Sequence, residues 1–446
     1  MDRQQDGSGR GAADILAVGF GTAVAMWVAG YVSRLPGVEL APAVIGPGLL
    51  AILLAGGFTA GRLGQRGWRG GLASGLLTSA LNLLILGGLL ASREPNQLLP
   101  SAVIWLPGCL LIGAAIGAIG GRLGGILRPG GSPDPNWTGA FAWVAAAATL
   151  ALLAIGGLVT SHGAGLAVTD WPNSFGYNMF LYPLSRMTGG VYFEHAHRLF
   201  GALVGLTTVT LTVHLWLVER RRWLRWLALA TVPMVAIQGL LGGLRVTGKL
   251  TLSTQATDMA PSLVLAAVHG VLGQIFFVTL VAVAVMLTRR WTSDQPPAAR
   301  ISASGDRVLG ACLVGTIAVQ LGLGALQRHL ASGLMIHITA AAVVAVLAVA
   351  VGLRAWGFHA DLPPLPWCGK LLIGLVSTQV GLGLTALVAR GGPDQQASHQ
   401  GWRAIVTTMH QTTGALLLGA AVATLLLGLR LTRRPADGLP ISPAGS

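Results

Sequence analysis

The chain has 446 residues, of which only 10% are charged and 53% are hydrophobic, with a mean hydropathy of +0.68. A water-soluble globule of this size would lack the polar surface to cover itself, so lipid is the solvent for most of the chain. The 29 Lys and Arg against 15 Asp and Glu give a net charge of +14, but they sit in short gaps between long apolar runs and read as topology signals, not as a nucleic-acid surface.

Apolar runs of roughly 20 residues, the length that crosses a bilayer as a helix, fall near 13–33, 42–61, 71–91, 101–121, 139–160, 192–217, 226–247, 262–287, 308–327, 331–353, 371–389 and 404–429. The first lacks a small-x-small cleavage site and reads as a retained helix. None shows the ten-residue alternation of an outer-membrane barrel, so the fold class is an all-α polytopic membrane protein of about twelve helices. An even number of crossings puts both termini on one side. Placing them in the cytoplasm gathers most of the cationic residues there, including Arg62, Arg66 and Arg69, the run Arg220–Arg222, and Arg289 and Arg290. The positive-inside rule accepts that orientation, in the inner (cytoplasmic) membrane. Cys109, Cys312 and Cys368 are far apart and argue against a disulfide framework or a zinc site. The segment Arg128 to Asn136 (RPGGSPDPN) is rich in Pro and Gly and divides four leading helices, residues 1–130, from eight following ones, residues 138–446.

Those eight helices carry an internal repeat. One kind has Gln before a Gly-rich stretch: Gln238 in QGLLGGLRV, Gln320 in QLGLGALQRH and Gln379 in QVGLGLTAL. The other kind has a His near its outer start: His197, His269, His337 and His410. His197 to His337 is 140 residues, while His269 to His410 and Gln238 to Gln379 are each 141. Two parallel copies of a four-helix unit follow, about 138–290 and 304–435, differing chiefly in the loop after the first helix. That loop runs from about Ser161 to Gly190 in the first copy and is a few residues around Arg328 in the second.

Each of the four histidines lies about six residues inside its helix, roughly 9 Å below the interface. Imidazoles at one depth, two per repeat, suit axial ligation of haem iron across a four-helix bundle. Gly201, Gly273, Ala341 and Gly414 each follow a histidine by four positions and are expected to let a flat macrocycle approach. Glu194 stands three residues before His197 on the same helix face, whereas His195 is offset by about 200° and should point away. No acidic residue stands three before His337, so the two sites are chemically unequal, one suited to catalysis and the other to electron transfer. Arg198, Arg245 and Arg328 near the outer helix ends could pair with haem propionates.

These residues resemble the haem A synthase family over roughly 138 to 446. Gly156 to Pro172 (GGLVTSHGAGLAVTDWP) looks like that family's opening helix and loop, and Glu194, His197 and Arg198 match its Glu-x-x-His-Arg signature. The resemblance implies oxidation of a ring methyl of haem O to the formyl group of haem A. It further implies that His197 and His269 flank the substrate haem O, that His337 and His410 ligate a haem b cofactor, and that Glu194 is the catalytic carboxylate. Partners implied are the lipid bilayer, the synthase that supplies haem O, an electron donor or acceptor, and terminal oxidase assembly factors. Some family members carry a cysteine pair in the first outer loop; this chain has none there. The four leading helices match nothing in the family core. A dihaem b-type cytochrome passing electrons between quinol and a partner is the main alternative, and a transporter of parallel repeats is the second.

Overall fold

The computed structural model describes residues 10–92, 94–131, 134–247, 263–389 and 400–435. Ser132 and Pro133 of the expected linker and the last residues of the C-terminal repeat segment, 436–446, lie outside the described residues. Among the described residues, twelve helices are long and apolar enough to cross a membrane. They are α1 (Arg10–Ser33), α2 (Pro42–Leu63), α3 (Gly67–Leu89), α4 (Ala102–Ile126), α5 (Trp137–Ser161), α6 (Gly189–Val218), α7 (Arg222–Thr247), α8 (Leu263–Met286), α9 (Ala303–Leu330), α10 (Leu334–Gly357), α11 (Leu365–Val388) and α12 (Gln400–Leu431). The protein is therefore an all-α, multi-pass membrane protein, and each expected span has its helix.

The chain divides into two compact units, Met1–Ser262 and Leu263–Ser446. Within the first, α2, α3 and α4 approach backbone to backbone: a methyl group at Gly61 would strike the Gly121 carbonyl, and one at Gly71 the Gly117 carbonyl. Small residues give such helices dispersion contact where lipid offers no hydrophobic drive to associate. Helix α1 packs against α2, α3 and α5 and also touches α6. Phe141 of α5 and Leu203, Leu211 and Leu215 of α6 are fully buried in this unit. Between α5 and α6 runs the long loop 162–188, which contains two 3₁₀ turns, Met179–Leu181 and Leu184–Arg186. It is a packed layer, with Ala164, Val168, Ser174, Tyr177 and Tyr182 all buried.

The second unit is built on α9–α12, whose core joins Leu313 and Ile317, Val344 and Ala348, Leu372 and Val376, and Leu417 and Ala421. Helix α8, which the sequence repeat groups with α5–α7, packs here against α9 and α12. The short connection in this unit is Ala331–Gly333, and Arg328 lies in the last turn of α9, not in the loop expected around it. The helix stops there because Ala331 (φ 51°) and Gly333 (φ 80°) both turn left-handed. At the other end of the bundle Asp306 holds Arg354 at 2.6 Å and His359 at 3.0 Å, tying α9 to the end of α10.

Candidate functional site

In the first unit the site is built on the N-terminal turns of α6. Glu194 and Arg198, one helical turn apart, form an ion pair at 3.2 Å with side chains only 8% and 7% exposed. Acid before base at this spacing is the favourable order on a helix. The rest of the guanidinium faces the long loop, donating to the backbone oxygens of Val168 (2.8 Å), Asp170 (2.7 Å) and Asn173 (2.9 Å). Arg198, expected as a propionate contact, is thus committed to Glu194 and to the loop. His197 shares the face of Glu194, and its ring lies against α5, where a Cβ at Gly156 would come within 2.9 Å of the ring Cε1. His195 points the other way, as its angular offset requires. It is fully buried, with Nδ1 3.0 Å from the Ser174 hydroxyl and its ring 4.9 Å from that of Tyr182.

Helix α7 grips the same loop. The Trp171 ring covers Gly243 so closely that any side chain there would strike it, and the Arg245 guanidinium lies over Gly165, where a Cβ would come within 2.7 Å of Nη2. Asp170 organises the loop from within, accepting hydrogen bonds from the backbone N–H of Phe175 (2.7 Å) and Gly176 (2.9 Å). Partial burial pushes the Asp170 carboxyl up, but the N–H groups of Gly176 and Phe175 and the charge of Arg198 outweigh it, so the group sits below the usual carboxylate range. A depressed carboxylate contributes stability that is present above its unfolded pKa and is lost as pH falls through the folded one. The loop of the wild type should therefore exchange its amides more slowly than that of Asp170→Asn at neutral pH, by a margin of about 1–2 kcal/mol. That margin should shrink as the pH drops below the carboxylate range. Hydrogen exchange of the loop in the two proteins across pH measures it, and a pH-independent margin would contradict the assignment.

In the second unit the structure brings the His337 and His410 rings together edge to face, with ring centroids 6.4 Å apart and planes 73° from parallel. A metal ion between two imidazoles needs about 2 Å of bond on each side and about 1.2 Å more to each ring centre, which sums to about 6.4 Å. Each ring is set by the helix before it. Gln320 Nε2 lies 3.1 Å from His337 Nδ1 and donates to the His337 carbonyl at 2.9 Å, and Gln379 Nε2 lies 3.4 Å from His410 Nε2. His410 Nδ1 and the amide oxygens of Gln320 and Gln379 are buried with no hydrogen-bond partner. The donor set of two neutral imidazoles fits haem iron. Arg328 donates to the carbonyl of Thr407, three residues before His410, at 3.2 Å. His269 lies about two turns inside α8, in the second unit, whereas His197 lies in the first.

Small residues also meet the histidine rings, and they are distinct from the four expected to admit a flat macrocycle. Gly201 has open space around its Cβ position, and Gly414 faces the Gln379 amide instead. The glycines against the rings stand on the preceding helices: Gly156 for His197, Gly324 for His337 (3.3 Å) and Gly383 for His410 (3.0 Å). A signal for two of them was present, since Gly324 and Gly383 each follow Gln320 and Gln379 by four residues, placing glutamine and glycine on one face toward the next helix.

A family model described as a cytochrome oxidase assembly protein, COX15-CtaA, matches residues 139–339. That stretch is similar to this family. The COX15-CtaA region runs from α5 into the first turn of α10 and includes Glu194, His197, Arg198, Arg245, His269, Arg328 and His337. The role described for the family is in cytochrome oxidase assembly. His410 and Gln379 lie beyond residue 339 and are tied to the COX15-CtaA region by the 141-residue repeat and, for His410, by the facing ring of His337. Helices α1–α4 lie outside it. No curated protein matches the chain.

Within the COX15-CtaA region, sequence reading missed Asp170 and Ser174 as loop organisers. The Asp-Trp-Pro motif was visible, yet nothing in it reveals that the aspartate binds N–H groups five and six residues ahead. Arg403, seven residues before His410 on the same helix face, was also missed; its Nε is buried without a hydrogen-bond partner.

Proposed function

We propose that the protein oxidises a ring methyl of haem O to a formyl group, making haem A for the assembly of a terminal oxidase. The observation that carries this reading is the buried Glu194–Arg198 pair one turn from His197, with no counterpart before His337. An electron-transfer cytochrome needs histidines at both sites but has no use for a carboxylate at one of them. With water supplying the oxygen, converting a methyl to a formyl group releases four protons and four electrons, the electrons leaving to the acceptor, so the reacting carbon needs a proton acceptor beside it. Glu194 fills that role: Oε1 takes the Arg198 N–H, and Oε2, outside that bond, can accept a proton or orient water. Arg198 fixes the carboxylate and ties it to the loop.

His337 and His410 are the proposed ligands of a haem b, on the strength of their 6.4 Å ring separation. Bound there, a haem supplies one-electron chemistry, passing electrons to an acceptor. Gln320 and Gln379 orient the two imidazoles, and Arg328 and Arg403 offer cations for carboxylates at that end of the bundle. His197 and His269 are proposed as the substrate-haem pair because their spacings repeat those of His337 and His410, with Arg245 as a cation for a propionate. The positive-inside rule supports a cytoplasmic-membrane setting with both termini cytoplasmic. The substrate comes from a haem O synthase, and assembly factors of the oxidase receive the product.

The test is mass analysis of haem extracted from cells that make the protein together with a haem O supply. Haem A should accumulate. Haem O recovered unchanged, with a haem spectrum in the purified protein, would favour the dihaem cytochrome instead.

A further inference from the structure

Helices α1–α4 precede the COX15-CtaA region, yet the first unit joins them to the candidate site at three levels. On α1, Tyr31 stacks on Tyr192 of α6 (ring centroids 5.2 Å, planes 11° apart) and receives the Tyr192 hydroxyl on its carbonyl. Trp27, held by Asn82 at 3.0 Å, meets Phe200 of α6 edge-on. At the end of α3, Gly87 and Gly88 seat the 3₁₀ part of the long loop: a Cβ would lie 2.5 Å from the carbonyl oxygen of Phe180 at Gly87 and 2.6 Å from that of Tyr182 at Gly88. In the α3–α4 connection, Asn96 binds the loop with both ends of its amide. Its Oδ1 accepts the Asn178 N–H at 2.6 Å, and its Nδ2 donates to the Gly176 carbonyl at 3.5 Å.

The residues so held are the ones the site depends on. Gly176 donates to Asp170, whose carbonyl, with those of Val168 and Asn173, holds Arg198 against Glu194. The Tyr182 ring rests on His195, the neighbour of Glu194. Two short paths of direct contacts therefore run from the α3–α4 hairpin to the carboxylate, one through Asn96 and Asp170 and one through Gly88 and Tyr182.

We infer that the N-terminal four helices are a built-in brace for the long loop 162–188, with Asn96, Gly87 and Gly88 acting as positioning residues that hold Arg198 and Glu194 in register. An added methyl at Gly88 cannot be absorbed by a side-chain rotation, because the atom it meets is backbone; the loop must move. Loss of the Asn96 amide removes two hydrogen bonds and leaves the helices intact.

The test uses the full chain with Gly88→Ala and, as the milder variant, Asn96→Ala. Hydrogen exchange of the amides of residues 168–182 should speed up about fivefold or more in Asn96→Ala and further in Gly88→Ala. Asn96→Asp, which keeps the acceptor for Asn178, should restore much of the protection. Turnover should fall through kcat more than KM, while the haem spectrum assigned to His337 and His410 stays at its wild-type amplitude; a general loss of folding would lower that spectrum too. Unchanged exchange in both variants overturns the brace. Faster exchange with wild-type kcat overturns its positioning role. The turnover arm rests on the function proposed above, whereas the exchange arm does not: a wild-type protein that leaves haem O unchanged would sink that function and leave the exchange result to decide the brace.

Discussion

Replacing Glu194 by Gln should stop formyl formation, lowering turnover by about 10²–10⁴-fold, the range a positioned acid or base contributes, while leaving the protein folded and the haem b proposed for His337 and His410 in place. The amide is nearly isosteric and keeps an oxygen for the Arg198 Nε–H, now at 3.2 Å. Arg198 also keeps its three backbone acceptors on the loop, so its buried charge is not stranded, and the 3–5 kcal/mol penalty typical of breaking such a pair outright should be largely avoided. What the substitution removes is the capacity to take a proton. Glu194→Asp keeps that capacity but draws the carboxylate back by about one methylene, and intermediate activity is expected. Haem extracted from cells carrying each variant, resolved by mass, reads the outcome. Wild-type haem A from Glu194→Gln would remove the carboxylate from the reaction.

Replacing His410 by Ala should cost the protein one haem and all turnover. The partner ring of His337, 6.4 Å away, would then face a methyl group, and iron held from one side only loses the low-spin spectrum of two imidazoles. Gln379→Leu is the finer probe. It leaves both rings and removes only the amide 3.4 Å from His410, a change of the kind that weakens metal affinity by about 10–100-fold. Haem per protein and the reduced-minus-oxidised spectrum report both variants. A His410→Ala protein with the full haem complement and an unaltered spectrum would show that the facing pair does not ligate haem.

Much of this site was legible before any tertiary contact was known. Glu194 and His197 share a helix face by spacing alone, and the offset of His195 foretold its turn away toward Ser174 and Tyr182. The matched spacings of 140 and 141 residues were legible because they depend on residue identity and position alone. Arg198 was recognised but misjudged. Its acceptors are 25, 28 and 30 residues distant, and a cation at a helix end looks the same in sequence whether it awaits a ligand or holds a loop. The glycines that touch the rings lie on the preceding helices, and the sequence did not single them out, because a helix determines only which of its residues share a face, not which neighbour that face meets.

From the sequence alone came the twelve spans, the repeat, the four histidines and the single carboxylate, since these depend on run length, period and identity. Tertiary structure decided the rest: that α8 packs with α9 and α12, that His337 and His410 face each other, and that Asn96 reaches residues 80 and 82 positions away. The physical reason is common to all three. Helices apolar on every side carry little amphipathic signal to choose a packing face, so the choice falls to close contacts of glycine, aromatic rings and a few buried hydrogen bonds, which exist only once the helices have met.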